Sequence, residues 1–115
     1  MLSDERLHFY TRGACWMFAE QAAAVLDRPI VALGTLGDAH LPASDRWWGH
    51  LAVLLEDGSV FDAHGARSKD EAAAEFLKSH TSWFEVTDFE ASIEGHDRDE
   101  NPAQVLADVR VVLGL

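Results

Sequence analysis

Trp47-Trp48-Gly49-His50-Leu51-Ala52-Val53-Leu54-Leu55 is the longest apolar run in the chain, Glu56-Asp57-Gly58-Ser59 after it is a turn signal, and Val60-Phe61-Asp62-Ala63 returns as a second strand. Two apolar runs joined by a short acid-glycine loop predict an antiparallel hairpin. Glu-Asp-Gly suits a type I turn followed by a glycine in the left-handed region, which pairs Leu55 with Ser59. In that register Ala52 faces Asp62 and His50 faces His64. Side chains two apart share a face, so His50, Ala52, Asp62 and His64 project to one side, with Asp62 diagonal to His50 and within hydrogen-bond reach. A two-residue turn at Asp57-Gly58 would instead pair Glu56 with Ser59 and send Asp62 to the opposite face.

Downstream of the hairpin, Ser68-Lys69-Asp70-Glu71 reads as a capping box opening a helix to about Ser79, with Ala72, Ala73, Phe76 and Leu77 as its apolar residues. Ser82 to Glu90 alternates around Trp83, Phe84, Val86 and Phe89 and predicts another strand, and Glu94 to Glu100 is an acidic loop. Asn101-Pro102 caps a last helix, with proline in its allowed first position and Val105, Leu106, Val109, Val112 and Leu113 as the buried stripe. Upstream, residues 3–10 predict a short helix capped by Ser3, and a second helix runs from about Ala14 to Asp27, stopping before Pro29. Ile30-Val31-Ala32-Leu33, closed by Gly34, reads as a buried strand, and residues 34–45 as a loop able to cover a cleft. The expected fold is a single α+β domain over residues 1–115, its second helix packed on an antiparallel sheet of three to five strands.

Composition sets the outer limits. A chain of 115 residues, 48% apolar and 25% charged, is one soluble-type core. Twenty acids against nine bases give a net charge of −11. Such a chain repels phosphate backbones, and no basic patch offsets this, so no nucleic-acid partner is expected. There is no apolar run of about 20 residues for a membrane span and no Sec-type signal after Met1, so no membrane partner and a cytoplasmic address are expected. The single cysteine excludes an internal disulfide and fits a reducing compartment.

That cysteine lies in Arg12-Gly13-Ala14-Cys15-Trp16-Met17-Phe18-Ala19, where a loop turns into the second helix. A thiol in the first turn of a helix sits at the positive end of the macrodipole, which favours thiolate over thiol. Behind it, Trp16, Phe18 and Ala19, Ala22 and Ala23, and Leu26 form a stripe that anchors the helix on a core. Taken alone, a cysteine beside Trp and Met is ordinarily a small buried hydrophobe, and His50 taken alone is a core histidine. A buried Asp62 without a partner would be costly, however. Cysteine at a helix start, histidine early in a strand and aspartate on the hairpin partner together have the composition of a nucleophilic triad.

Gly13-Ala14-Cys15-Trp16-Met17-Phe18-Ala19 resembles the nucleophile segment of papain-like cysteine peptidases. The order of Cys15, then Gly49-His50-Leu51-Ala52-Val53 on a strand, then Asp57-Gly58 and Phe61-Asp62 on the next, is similar to the compact members of that clan: transglutaminase-like proteins, bacterial cell-wall peptidases and papain-fold deamidases. The resemblance covers residues 12–64. It implies a papain-like core and thiol-dependent amide hydrolysis or acyl transfer, with Cys15 as nucleophile, His50 as base and acid, and Asp62 as orienter.

The clan's glutamine upstream of the cysteine is missing. A second oxyanion donor is therefore expected from Tyr10, Arg12 or a loop amide, with the Cys15 N–H as the first. Trp47 or Trp48 is expected at the mouth of the site and His64 at its edge. The implied substrate is an amide or peptide, including a single protein glutamine, and an antidote or target protein is a conceivable partner. His40, His50, His64 and Cys15 match no usual zinc spacing, so no metal or other cofactor is expected. The alternative function is an acidic interaction or inhibitor protein on the same fold.

Overall fold

The computed structural model describes residues 1–11, 13–75 and 81–115. Its elements are α1 (Asp4–Thr11), α2 (Cys15–Leu26), β1 (Ile30–Thr35), β2 (His50–Leu54), β3 (Val60–Asp62), β4 (Gly65–Arg67), α3 (Lys69–Ala74), β5 (Thr81–Glu85), α4 (Phe89–Ser92) and α5 (Pro102–Leu113). The five strands form one antiparallel sheet in the order β4-β3-β2-β1-β5. The fold is therefore α+β, with five strands and five α-helices among the described residues.

The central hairpin adopts the three-residue loop. Gly58 N–H donates to the Leu55 carbonyl at 3.0 Å, and Leu55 N–H donates to Ser59 at 2.9 Å. Gly58 has φ +88°, the left-handed conformation that this turn requires. Val53 pairs with Phe61 and Leu54 with Val60, the register that aligns His50 and Asp62.

Four boundaries differ from expectation, each for a local physical reason. β1 runs past Leu33 to Thr35, because Gly34 is a close-approach residue and not a strand stop: a Cβ there would lie 2.7 Å from the Phe84 ring and 2.8 Å from the Trp47 carbonyl. β2 begins only at His50, leaving Trp47 and Trp48 before the strand. β3 ends at Asp62, and Ala63-His64 forms a two-residue turn into β4, with Asp62 paired to Gly65. His64 therefore stands at a hairpin tip and not across from His50. β5 stops at Glu85, and Asp88 then caps α4 by accepting from Ala91 N–H at 3.1 Å, where the expected strand continued to Glu90.

The helix starts follow the sequence closely. Ser3 Oγ accepts from Arg6 N–H at 3.2 Å, Ser68 and Glu71 form a reciprocal capping box, and Asn101 caps α5 through Ala103 N–H at 2.8 Å. α3 is described to Ala74, so Phe76, Leu77 and the expected end at Ser79 lie outside the described residues. In α5, Val105 and Val109 are buried while Leu106, Val112 and Leu113 are only partly so.

α2 is the centre of the core. Cys15, Trp16, Met17, Phe18, Ala19 and Ala22 are all buried, packed with Leu51, Val53 and Phe61 of the sheet, Tyr10 of α1, and Val105 and Val109 of α5. Each large side chain there contributes ~2–3 kcal/mol of transfer free energy. A second cluster of Val31, Ala52, Val60 and Ala72 joins the sheet to α3. α1 is tied to α5 by Asp108, 5% exposed, whose Oδ2 accepts from Tyr10 Oη at 2.6 Å and from Arg6 Nη2 at 2.6 Å.

Candidate active site

Three element ends meet at one edge of the sheet: Cys15 is the first residue of α2, His50 the first of β2, and Asp62 the last of β3. Gly13, at φ +108°, turns the chain from α1 into α2 in a conformation that a side chain rarely adopts. Ala14 then caps the helix without a side-chain hydrogen bond. The first-turn N–H groups of α2 therefore receive no side-chain acceptor from their cap, and Met17 N–H donates to the Ala14 carbonyl at 3.1 Å.

His50 Nε2 lies 2.8 Å from Asp62 Oδ2, with both side chains almost fully buried. The same imidazole lines one crevice with Cys15. Asp62 is itself held from two further sides. Its Oδ1 accepts from His64 N–H at 2.9 Å, and its Oδ2 accepts from Arg67 Nη2 at 2.7 Å.

Burial works against a charged imidazole here, but the hydrogen bond to Asp62, the neighbouring Cys15 and the Asp62 charge outweigh it, so the His50 pKa is pushed up to about 9. Burial likewise opposes the Asp62 carboxylate. The His50 hydrogen bond and the His50 and Arg67 charges more than compensate and hold Asp62 below the ordinary carboxylate range. The arrangement favours a protonated ring beside an ionised Asp62.

The crevice over these groups is walled by Tyr10 and Thr11 at the end of α1 and by Ala63 and His64 at the β3–β4 turn, and it is too narrow to admit a water molecule. Cys15 is 5% exposed. A substrate must therefore part these walls to reach the sulfur.

The remaining expected residues divide. His64 lines the crevice, its Nε2 3.5 Å from Glu75 Oε1. Tyr10 lines it with its ring, but its hydroxyl donates to Asp108 and receives from Arg6 Nη2 at 3.1 Å. Burial, then the Asp108 hydrogen bond, push its pKa well above the usual phenol range. Tyr10 is thus not the expected oxyanion donor, because its proton is already given to a buried carboxylate.

The expectation of a tryptophan at the mouth is corrected too. Trp47 is 59% exposed, Trp48 donates through Nε1 to Ser92 O at 2.7 Å and stacks on His96 with ring centroids 4.9 Å apart, and neither lines the crevice. Arg12 lies outside the described residues. Among the described residues, no group of three His, Cys, Asp or Glu is placed to hold a metal ion, and no helix is long and apolar enough to cross a membrane.

Arg67 and Glu75 are the polar groups near Asp62 that the sequence reading missed. Arg67 pairs with Asp62 and, through Nη1, with Glu75 Oε1. The signal was the His64-Gly65 step after a short strand: once it is read as a tight turn, β4 must run back beside Asp62 and bring Arg67 with it. Comparison of the chain with family models, with curated proteins and with solved structures gives no match in any of the three.

Proposed function

We propose that this protein is a cysteine-dependent amide hydrolase or acyl transferase acting through Cys15, His50 and Asp62, on a core similar to that of the papain-like and transglutaminase-like clan. The observation that carries the reading is a convergence: His50, bonded to the buried Asp62 carboxylate, lines one crevice with Cys15, the single cysteine of the sequence. Order along the chain supports it, since nucleophile helix, histidine strand and aspartate strand follow one another as in that clan.

In the proposed reaction the Cys15 thiolate attacks a carboxamide carbon, forming the C–S bond and a tetrahedral oxyanion. First-turn N–H groups of α2 stabilise the oxyanion. The His50 imidazolium passes its proton to the departing nitrogen as the C–N bond breaks, and ammonia or an amine leaves a thioester on Cys15. Water, or an acceptor amine, then attacks the thioester while His50 takes its proton, releasing the acid or new amide and restoring the thiolate–imidazolium pair. Asp62 fixes the ring and favours its charged form throughout.

A crevice this narrow suits a slender group, such as a single glutamine side chain or a small amide, more than an extended peptide. A free thiol that must stay reduced suits the cytoplasm.

The test is ammonia release from glutamine-containing peptides, with hydroxylamine added to intercept the acyl-enzyme as a hydroxamate. Both products are expected from the wild type and neither from Cys15→Ala. Activity that survives Cys15→Ala refutes the proposal. The crevice's closure to water favours one alternative, a non-enzymatic protein that binds a partner through its acidic surface, and that reading predicts neither product from either form.

A further inference from the structure

We infer that Arg67 is a positioning residue of the triad, sharing the Oδ2 atom of Asp62 with His50 and thereby setting how tightly the imidazole holds its proton, with Glu75 setting the strength of that effect. The inference rests on the Cys15–His50–Asp62 reading. Its geometric basis is that two cationic donors, His50 Nε2 at 2.8 Å and Arg67 Nη2 at 2.7 Å, converge on one oxygen of a carboxylate that is 4% exposed.

A guanidinium does not titrate in the working range, so Arg67 is a permanent positive charge on the atom that stabilises the imidazolium. It keeps Asp62 ionised and fixes the carboxylate plane. It also claims part of the negative charge that would otherwise serve His50 alone. Arg67 is in turn anchored by Glu75 through Nη1, while its buried Nε has no hydrogen-bond partner among the described residues. The guanidinium is thus held by its two ion pairs, and Glu75 balances part of its charge.

The charged and titratable groups around the imidazole–carboxylate pair are Cys15 from α2, Tyr10 from α1 with its hydroxyl on Asp108, Arg67 from β4, His64 from the β3–β4 turn and Glu75 at the end of α3. From β1, the residue paired with His50 is the apolar Leu33. Within this set, removal of Arg67 and removal of the Glu75 charge act on His50 with opposite sign. Without Arg67 the whole carboxylate serves the imidazolium, which holds its proton more tightly. Without the Glu75 charge, Arg67 bears on it harder. Loosened packing alone does not yield opposite signs.

The experiment is an NMR titration of the His50 Cε1–H signal in the full chain, for the wild type and for R67M, R67K, E75Q and C15S. The wild-type midpoint is expected above the ordinary histidine value and lower in C15S. In R67M it rises by about one pH unit, a tenfold gain in proton affinity, R67K stays near the wild type, and E75Q falls. If R67M does not fold, the fall in E75Q with an unmoved R67K carries the test. A coupled wild-type midpoint that R67M and E75Q leave in place, or move in the same direction, overturns the role of Arg67 while leaving the triad standing. An ordinary wild-type midpoint, indifferent to C15S, refutes the triad and the role of Arg67 with it.

Discussion

At Asp62, donors from three residues converge on a carboxylate that is 4% exposed: the His50 ring, the Arg67 guanidinium and the His64 amide. Replacing Asp62 with Ala leaves the partly buried Arg67 guanidinium with Glu75 alone and the buried imidazole without its carboxylate. Loss of one member of a buried ion pair ordinarily costs ~3–5 kcal/mol. Asp62→Ala is therefore expected to lower unfolding free energy in urea by about 3 kcal/mol, and a loss below about 1 kcal/mol would mean that the pair behaves as an exposed one. The His50–Asp62 bond was legible in the sequence because it depends only on hairpin register, which a three-residue loop ending in glycine fixes. Arg67 was not, because its approach depends on a second, tighter turn at Ala63-His64 that carries no strong turn dipeptide of its own. The hydroxyl of Tyr10 was misread for a similar reason: its acceptor, Asp108, lies 98 positions away in sequence.

Among the elements, the hairpin and the helix starts were readable, since turn glycine, capping serine and capping asparagine act within four residues of themselves. Where tertiary contacts decided, the reading overran: Trp48 leaves the strand because its indole N–H reaches Ser92 and its ring stacks on His96. Two substitutions test the elements that position the site. Gly58→Ala forces a methyl-bearing residue to φ +88° and is expected to cost about 1 kcal/mol, with Cys15 chemistry unchanged if the register holds. Asp108→Ala removes the acceptor shared by Tyr10 and Arg6 and so unfastens α1 from α5. A loss of about 3 kcal/mol is expected, with amide exchange accelerating first in α1. Uniform exchange across the chain would show that Asp108 does not act through that contact.

For the whole molecule, His50 and Asp62, the buried pair at the crevice, set the pH range of stability. His50 binds its proton more tightly folded than unfolded, so its contribution is fully present below its unfolded value of 6.5 and is lost as pH rises through about 9. Asp62 binds its proton less tightly folded, so its contribution is present above its unfolded value of 3.8 and is lost as pH falls. The urea midpoint is expected to be highest between these limits and to decline on the alkaline side in the wild type, with a smaller alkaline decline in His50→Ala. The closed crevice adds a condition on access: any reagent must wait for α1 and the β3–β4 turn to part before it reaches Cys15. The most direct test of the thiolate–imidazole pair is the rate of native-state alkylation of Cys15 by iodoacetamide from pH 4 to 10, in the wild type and in His50→Ala. The predicted result is a wild-type thiol that is alkylated in the native state, with the rate near pH 6 falling about tenfold or more when His50 is removed. A thiol that is unreactive until the protein unfolds, or that reacts alike in both forms, would contradict it.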